Sequence, residues 1–158
     1  MQELHRAWRM SGVIDMSSVL LAEDNPADVY LIREALKEHG VECDIRVASD
    51  GKEVLGLIED EETGIAADDL RLIILDLNLP RHDGIEILER LKESTRLAHV
   101  PVVVLTSSDS PQDKLVATHL GARRYLRKPS SLEQFLGLGL IFKEMVEGVS
   151  ARGASHED

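Results

Sequence analysis

Polar residues close a series of short runs in this chain. Glu23-Asp24 follow Val19-Leu20-Leu21-Ala22, Asp76 follows Leu72-Ile73-Ile74-Leu75, Thr106 follows Val100 to Leu105, and Lys128-Pro129 follow Arg124 to Arg127. A carboxylate that ends four aliphatic residues, as Asp76 does, is costly to bury unless it is paired or metal-bound. Brought together, Glu23, Asp24 and Asp76 would repel, and a divalent cation with hard oxygen ligands is the simplest compensation. Mg²⁺ fits, since it takes about six oxygens and typically uses a couple of carboxylates with waters and phosphate oxygens. The same set would suit a phosphoryl group, with the metal and Lys128 offsetting its charge and Thr106 donating a hydrogen bond. Taken singly, each residue has a plainer reading: Asp24 as a helix cap, Lys128-Pro129 as a strand terminator, Thr106 as a strand residue, Tyr125 as a half-buried aromatic. Their joint position at strand ends is what favours chemistry.

That convergence requires the runs to be parallel strands. Short apolar runs that stop at polar residues suit strands buried on both faces of a parallel sheet. The spacing predicts strands at Val19–Ala22, Cys43–Ala48, Leu72–Leu75, Val100–Leu105 and Arg124–Arg127. Between them lie helical patterns. Asp24 or Asn25 caps a helix with Pro26 in its first turn, carried by Val29, Ile32 and Leu36 to Gly40. Others run from Gly51 to about Glu59, after Asp83-Gly84 through Ile85, Leu88 and Leu91, from Pro111, and from about Ser131 to Glu147. Alternation of this kind argues a doubly wound α/β sheet, and the flavodoxin-like order 2-1-3-4-5 with five helices is the usual solution at this size. Ligands then bind beyond the carboxyl ends of the strands. The acidic stretch 59–69 reads as a surface loop, residues 1–17 as an extension, 18–149 as the domain and 150–158 as a tail.

Composition narrows the classes further. A chain of 158 residues is one domain by default. With 43% hydrophobic and 30% charged residues it is globular, not wholly disordered. A formal net charge of −11 disfavours a nucleic-acid role based on phosphate neutralisation. Cys43 is the only cysteine, which excludes an intrachain disulfide and suits a reducing compartment. No apolar run reaches membrane-spanning length and the first residues lack a signal-peptide core, so the expectation is a cytoplasmic protein.

The segments LLAEDNPAD, LIILDLNLPRHDG, PVVVLTS and ARRYLRKP resemble, in order and spacing, the motifs of the receiver domain of two-component response regulators, over roughly residues 18–147. The resemblance implies that Asp76 is the phosphoacceptor, that Glu23 and Asp24 hold Mg²⁺ with Asp76 and the backbone carbonyl of Asn78, and that Thr106 and Lys128 contact the phosphoryl oxygens. It further implies a cis bond between Lys128 and Pro129, and a switch formed by Thr106 and Tyr125 that reports to the fourth helix, fifth strand and fifth helix. The partner would be a histidine kinase. The DLNLP run and the stretched loop before the third strand resemble small single-domain regulators serving phytochrome-type and other hybrid kinases. Leu79 departs from the pattern, since many receivers carry methionine there.

Two other readings compete with a signalling receiver, which is not an enzyme in the usual sense. Phosphatases of the haloacid dehalogenase type share a strand-end Asp, a hydroxyl, a Lys and Mg²⁺, but need a second acid two residues on, where this chain has Asn78. A pseudo-receiver adaptor keeps the fold and has lost the acidic set, which is complete here. GxxxxGK[ST] and GxGxxG are both absent. The six histidines lack metal-ligand spacing and read as surface residues, and Arg123, Arg124 and Arg127 as a solvated or partner-facing patch. In the last helix Leu132, Phe135, Leu136, Phe142, Val146 and Val149 form a core stripe, while Leu138, Leu140, Ile141 and Met145 widen it. That width suggests a homodimer through the fourth helix, fifth strand and fifth helix. Gly137 and Gly139 weaken the helix pattern there.

Overall fold

The computed structural model describes residues 17–60 and 65–150. Most of the proposed extension and tail, and residues 61–64 of the acidic loop, lie outside the described residues. Five strands and five helices alternate: β1 (Ser18–Ala22), α1 (Pro26–Glu38), β2 (Asp44–Ala48), α2 (Gly51–Glu59), β3 (Leu70–Leu75), α3 (Gly84–Glu93), β4 (Val102–Thr106), α4 (Pro111–His119), β5 (Arg124–Arg127) and α5 (Leu132–Ser150). All strand pairs are parallel and the order is β2-β1-β3-β4-β5, the expected doubly wound sheet.

The strand pleat sorts the apolar side chains into two clusters. Leu20 and Ala22 of β1, Ile73 and Leu75 of β3, and Val102 and Val104 of β4 pack against α2, α3 and α4. Val19 and Leu21, Leu72 and Ile74, and Val103 and Leu105 pack against α1 and α5 on the other face. Burial on both faces explains why these strands read as unbroken aliphatic runs. At the start of β3 the register shifts, and Leu70 joins the same cluster as Ile73 in spite of its spacing.

Helix starts follow side-chain capping. Asn25, one of two candidates, accepts from Ala27 N at 2.9 Å and Asp28 N at 3.3 Å, and Asp50, Asp83 and Ser110 cap α2, α3 and α4 likewise. Gly40, at φ +74°, sits just past α1 in the left-handed conformation that glycine adopts without a Cβ penalty.

Several boundaries and faces differ from the sequence expectation. Val100 and Pro101 precede β4, because a proline contributes no ladder N–H. Ser17, assigned to the extension, is buried, and its carbonyl accepts from Asp44 N at 2.8 Å. Ile65 is also buried inside the stretch read as a surface loop, where the Arg96 guanidinium donates to the carbonyls of Ile58 and Ile65 and ties the loop to the core. In α5, Leu132, which the helical period places in the core stripe, is 61% exposed, whereas Leu138, which it places outside that stripe, is buried. The reason is that α5 packs on α1 as well as on the sheet, so Ile141 and Met145 are also partly covered. Gly139 permits that approach: a Cβ there would run into Ala35 O and the His39 ring.

Candidate functional site

The sheet ladder continues one residue past the ends of three strands and fixes the polar residues there. Glu23 N donates to Ala48 O, Asp76 N to Ala22 O, and Lys128 N to Thr106 O, at 3.0, 3.0 and 2.8 Å. Strands far apart in sequence thus deliver Glu23, Asp76, Thr106 and Lys128 to one edge, and the side chains of Glu23, Asp76 and Thr106 are buried. Each is held by neighbours. Glu23 Oε2 accepts from Asn25 N at 3.1 Å, Asp76 Oδ1 from Asn78 N at 3.0 Å, and Thr106 Oγ1 from Asn78 Nδ2 at 3.4 Å and Ser108 N at 3.3 Å.

Lys128 is the hub of the charges. Its Nζ lies 2.9 Å from Glu23 Oε1, 3.0 Å from Asp76 Oδ2 and 2.8 Å from Asp28 Oδ2. Burial pulls its ammonium down, but the hydrogen bonds it donates to Asp28, Glu23 and Asp76 outweigh that and hold it above the ordinary lysine value. Glu23 moves the same way for another reason: burial, and then the charge of Asp76, push its carboxyl up to about 7 against the pull of Lys128. A buried acid whose ionised form is only partly compensated is what a bound cation would relieve. Carboxylate oxygens of Glu23, Asp24 and Asp76 lie within 4.8 Å of one another, with Asp24 exposed at the surface. This donor set is entirely hard oxygen and fits a divalent cation of the Mg²⁺, Mn²⁺ or Ca²⁺ kind.

The loop from β3 to α3 closes one side of the site. Gly84 N donates to Leu77 O at 3.0 Å, and a Cβ on Gly84 would meet Leu77 Cα at 2.6 Å. On the far side of the loop, Gly51 N donates to Pro80 O at 2.9 Å, and a Cβ on Gly51 would strike the His82 backbone. Between these contacts Arg81 takes φ 80°, the one non-glycine residue at positive φ among the described residues, and its Nε is 3.5 Å from Asp50 Oδ2. Opposite, the loop from β4 to α4 joins Thr106 to Tyr125 through Ser108. The half-buried Tyr125 donates its hydroxyl to Ser108 O at 3.3 Å, while Ser108 N donates to Thr106 Oγ1.

Every residue named from the sequence as a contributor at the strand ends is therefore near this edge or linked to it, Tyr125 through Ser108. Asp28 was missed. It stands in the first turn of α1, where an acid reads as a complement to the helix dipole, and its bond to Lys128 spans 100 positions. Ser108 was missed too, because its part is played by its backbone. The histidines form no metal cluster among the described residues: His39 Nδ1 lies 3.1 Å from Ala35 O and His82 Nδ1 3.0 Å from Glu86 Oε1. Arg123, Arg124 and Arg127 are exposed, with Arg127 3.6 Å from Asp109. Among the described residues no helix is long and apolar enough to cross a membrane.

Comparison with known proteins agrees with this fold. The family model described as the response regulator receiver domain matches residues 19–138. Response regulator Rcp1 of Synechocystis sp. is 33% identical over 133 residues, covering 84% of this chain and 86% of that protein. Among solved structures, the phosphorylated cyanobacterial phytochrome response regulator RcpA superposes with a TM-score of 0.76 at 33% identity, covering 84% of this chain and 94% of RcpA. The Mn²⁺-bound form of Rcp1 superposes with a TM-score of 0.69 at 30% identity, covering 80% or more of either chain, 81% and 92%.

Proposed function

The chain belongs to the response regulator receiver family, and we propose that it takes a phosphoryl group onto Asp76 from a phosphohistidine of a partner histidine kinase. The observation that carries this reading is the buried Asp76 carboxylate with Lys128 Nζ at 3.0 Å, at the sheet edge where ligands of doubly wound folds bind. An Asp76 oxygen attacks phosphorus, and the new O–P bond forms as the P–N bond breaks, its electron pair staying on the imidazole nitrogen. Lys128 donates to the charge gathering on the phosphoryl oxygens, and the Thr106 hydroxyl turns to donate as well. Glu23, Asp24 and Asp76, with the carbonyl of Asn78, would hold Mg²⁺. When bound, the ion supplies positive charge opposite the phosphoryl oxygens. The Mn²⁺-bound form of Rcp1 supports a divalent ion in this family.

The acyl phosphate adds about −1.5 to −2 charges at one point. In our reading, the Thr106 hydroxyl then leaves Ser108 N, and the Ser108 to Tyr125 bond transmits the change to α4, β5 and α5. Hydrolysis of the acyl phosphate resets the switch, so the protein signals and is not a turnover enzyme. The relation to RcpA supports a phytochrome-type kinase as partner, and membership of the receiver family supports the cytoplasm as compartment. Exposed Leu115 on α4 and Leu132 on α5 support a second copy of the chain as another partner.

Intact-mass spectrometry after incubation with Mg²⁺ and acetyl phosphate tests the reading. One phosphoryl adduct is expected, absent without the metal and absent in Asp76→Asn. A chain that gains no mass under these conditions is an interaction module independent of phosphorylation.

A further inference from the structure

An ammonium carries three N–H donors. Those of Lys128 are all engaged, with Asp28 at 2.8 Å, Glu23 at 2.9 Å and Asp76 at 3.0 Å. A phosphoryl group on Asp76 also needs a donor from Lys128, so one of these partners has to yield. Glu23 and Asp76 have little access to water, with side chains 2% and 6% exposed. Asp28 is the most open of the three at 18%, and it belongs to a helix turn instead of a strand end. Its carboxylate can recover hydration on release with the smallest desolvation penalty.

We infer that Asp28 is a positioning residue that competes with the phosphoryl group for Lys128, and that its displacement is part of loading Asp76. The inference rests on Asp76 being the phosphoacceptor. In the resting protein Asp28 completes the coordination of the ammonium and orients it toward Asp76. During transfer from acetyl phosphate, an Asp76 oxygen bonds to phosphorus while the P–O bond to the acetyl group breaks and its electron pair leaves on acetate. Asp28 makes and breaks no covalent bond in this step and gains no proton. It acts only by holding Lys128 and giving it up.

The test follows the rate of Asp76 loading from acetyl phosphate with Mg²⁺ by intact mass. Asp28→Asn keeps the shape and removes the charge, and Asp28→Ser is run beside it so that a folding defect peculiar to one variant does not decide the result. Loading is expected to be roughly fivefold faster in both, the scale of one partly exposed ion pair. Asp28→Glu, which keeps the charge, is expected to load at about the original rate. In a Lys128→Met background, Asp28→Asn is expected to change nothing further, because the competition has lost its object. A purely structural Asp28 would move the rate in both backgrounds. Equal or slower loading in the neutral variants, with the original chain loading normally, overturns the competition and leaves the phosphoacceptor reading standing. If the original chain takes up no phosphoryl group, the phosphoacceptor reading fails and the competition fails with it.

Discussion

With Lys128 removed, Glu23 and Asp76 stay buried and face each other without a cation. Breaking a buried ion pair from one side strands a charge, so Lys128→Met is expected to lower stability in metal-free protein by about 3 kcal/mol. Urea unfolding reads the loss, and added Mg²⁺ is expected to restore part of it by replacing the missing positive charge. An unchanged midpoint would show that the cluster is solvated well enough not to need its lysine. This residue was legible in the sequence because the lysine closes a strand and is followed by proline. Asp28 was not, since a carboxylate in a first helical turn has a sufficient local explanation and only the fold sets it against residue 128. The upward shift of the Glu23 carboxyl was likewise invisible, because it comes from burial together with a like charge brought from another strand.

Elements whose environment is uniform were the easiest to read. β1, β3 and β4 are covered on both faces, so their aliphatic runs mark them whatever lies above or below. α5 is harder because it has two neighbours, the sheet and α1. A helical period yields a stripe but not the division of that stripe between them, hence the exchange of Leu132 and Leu138. The two glycines of α5 separate packing from propensity. Gly139 lies where a Cβ would strike Ala35 O, whereas nothing stands within 4 Å of a Cβ on Gly137. Gly139→Ala is therefore expected to destabilise the protein by about 2 kcal/mol through forced separation of α1 and α5. Gly137→Ala, in the same helix, is expected to stabilise it by about 0.5–1 kcal/mol. Thermal melts of the two variants check this pair, and movement in the same direction would remove the close contact as the reason for Gly139.

At the scale of the whole molecule, the site is one edge of the sheet and the proposed output surface another. If a second copy covers α4, β5 and α5, Leu115→Asp and Leu132→Asp should each weaken self-association without touching Asp76. Sedimentation velocity at tens of micromolar, with and without acetyl phosphate, is expected to show a dimer that these substitutions dissolve. A monomer under both conditions ends that proposal. The convergence of the polar residues followed from alternation and the strand order from the usual solution at this size, but which apolar side chains remain uncovered depended on how the last helix docks. The two loops flanking Asp76 also differ in their freedom. The one after β3 is wedged between Gly51 and Gly84, each with backbone in the space a methyl group would need. The one after β4 is tied by the Ser108 and Tyr125 hydrogen bonds, which can exchange partners without moving a neighbouring chain. The site thus has an anvil and a lever: on the proposed reading, a push arising at Asp76 meets closely packed backbone on the β3 side, and its work is delivered toward α4.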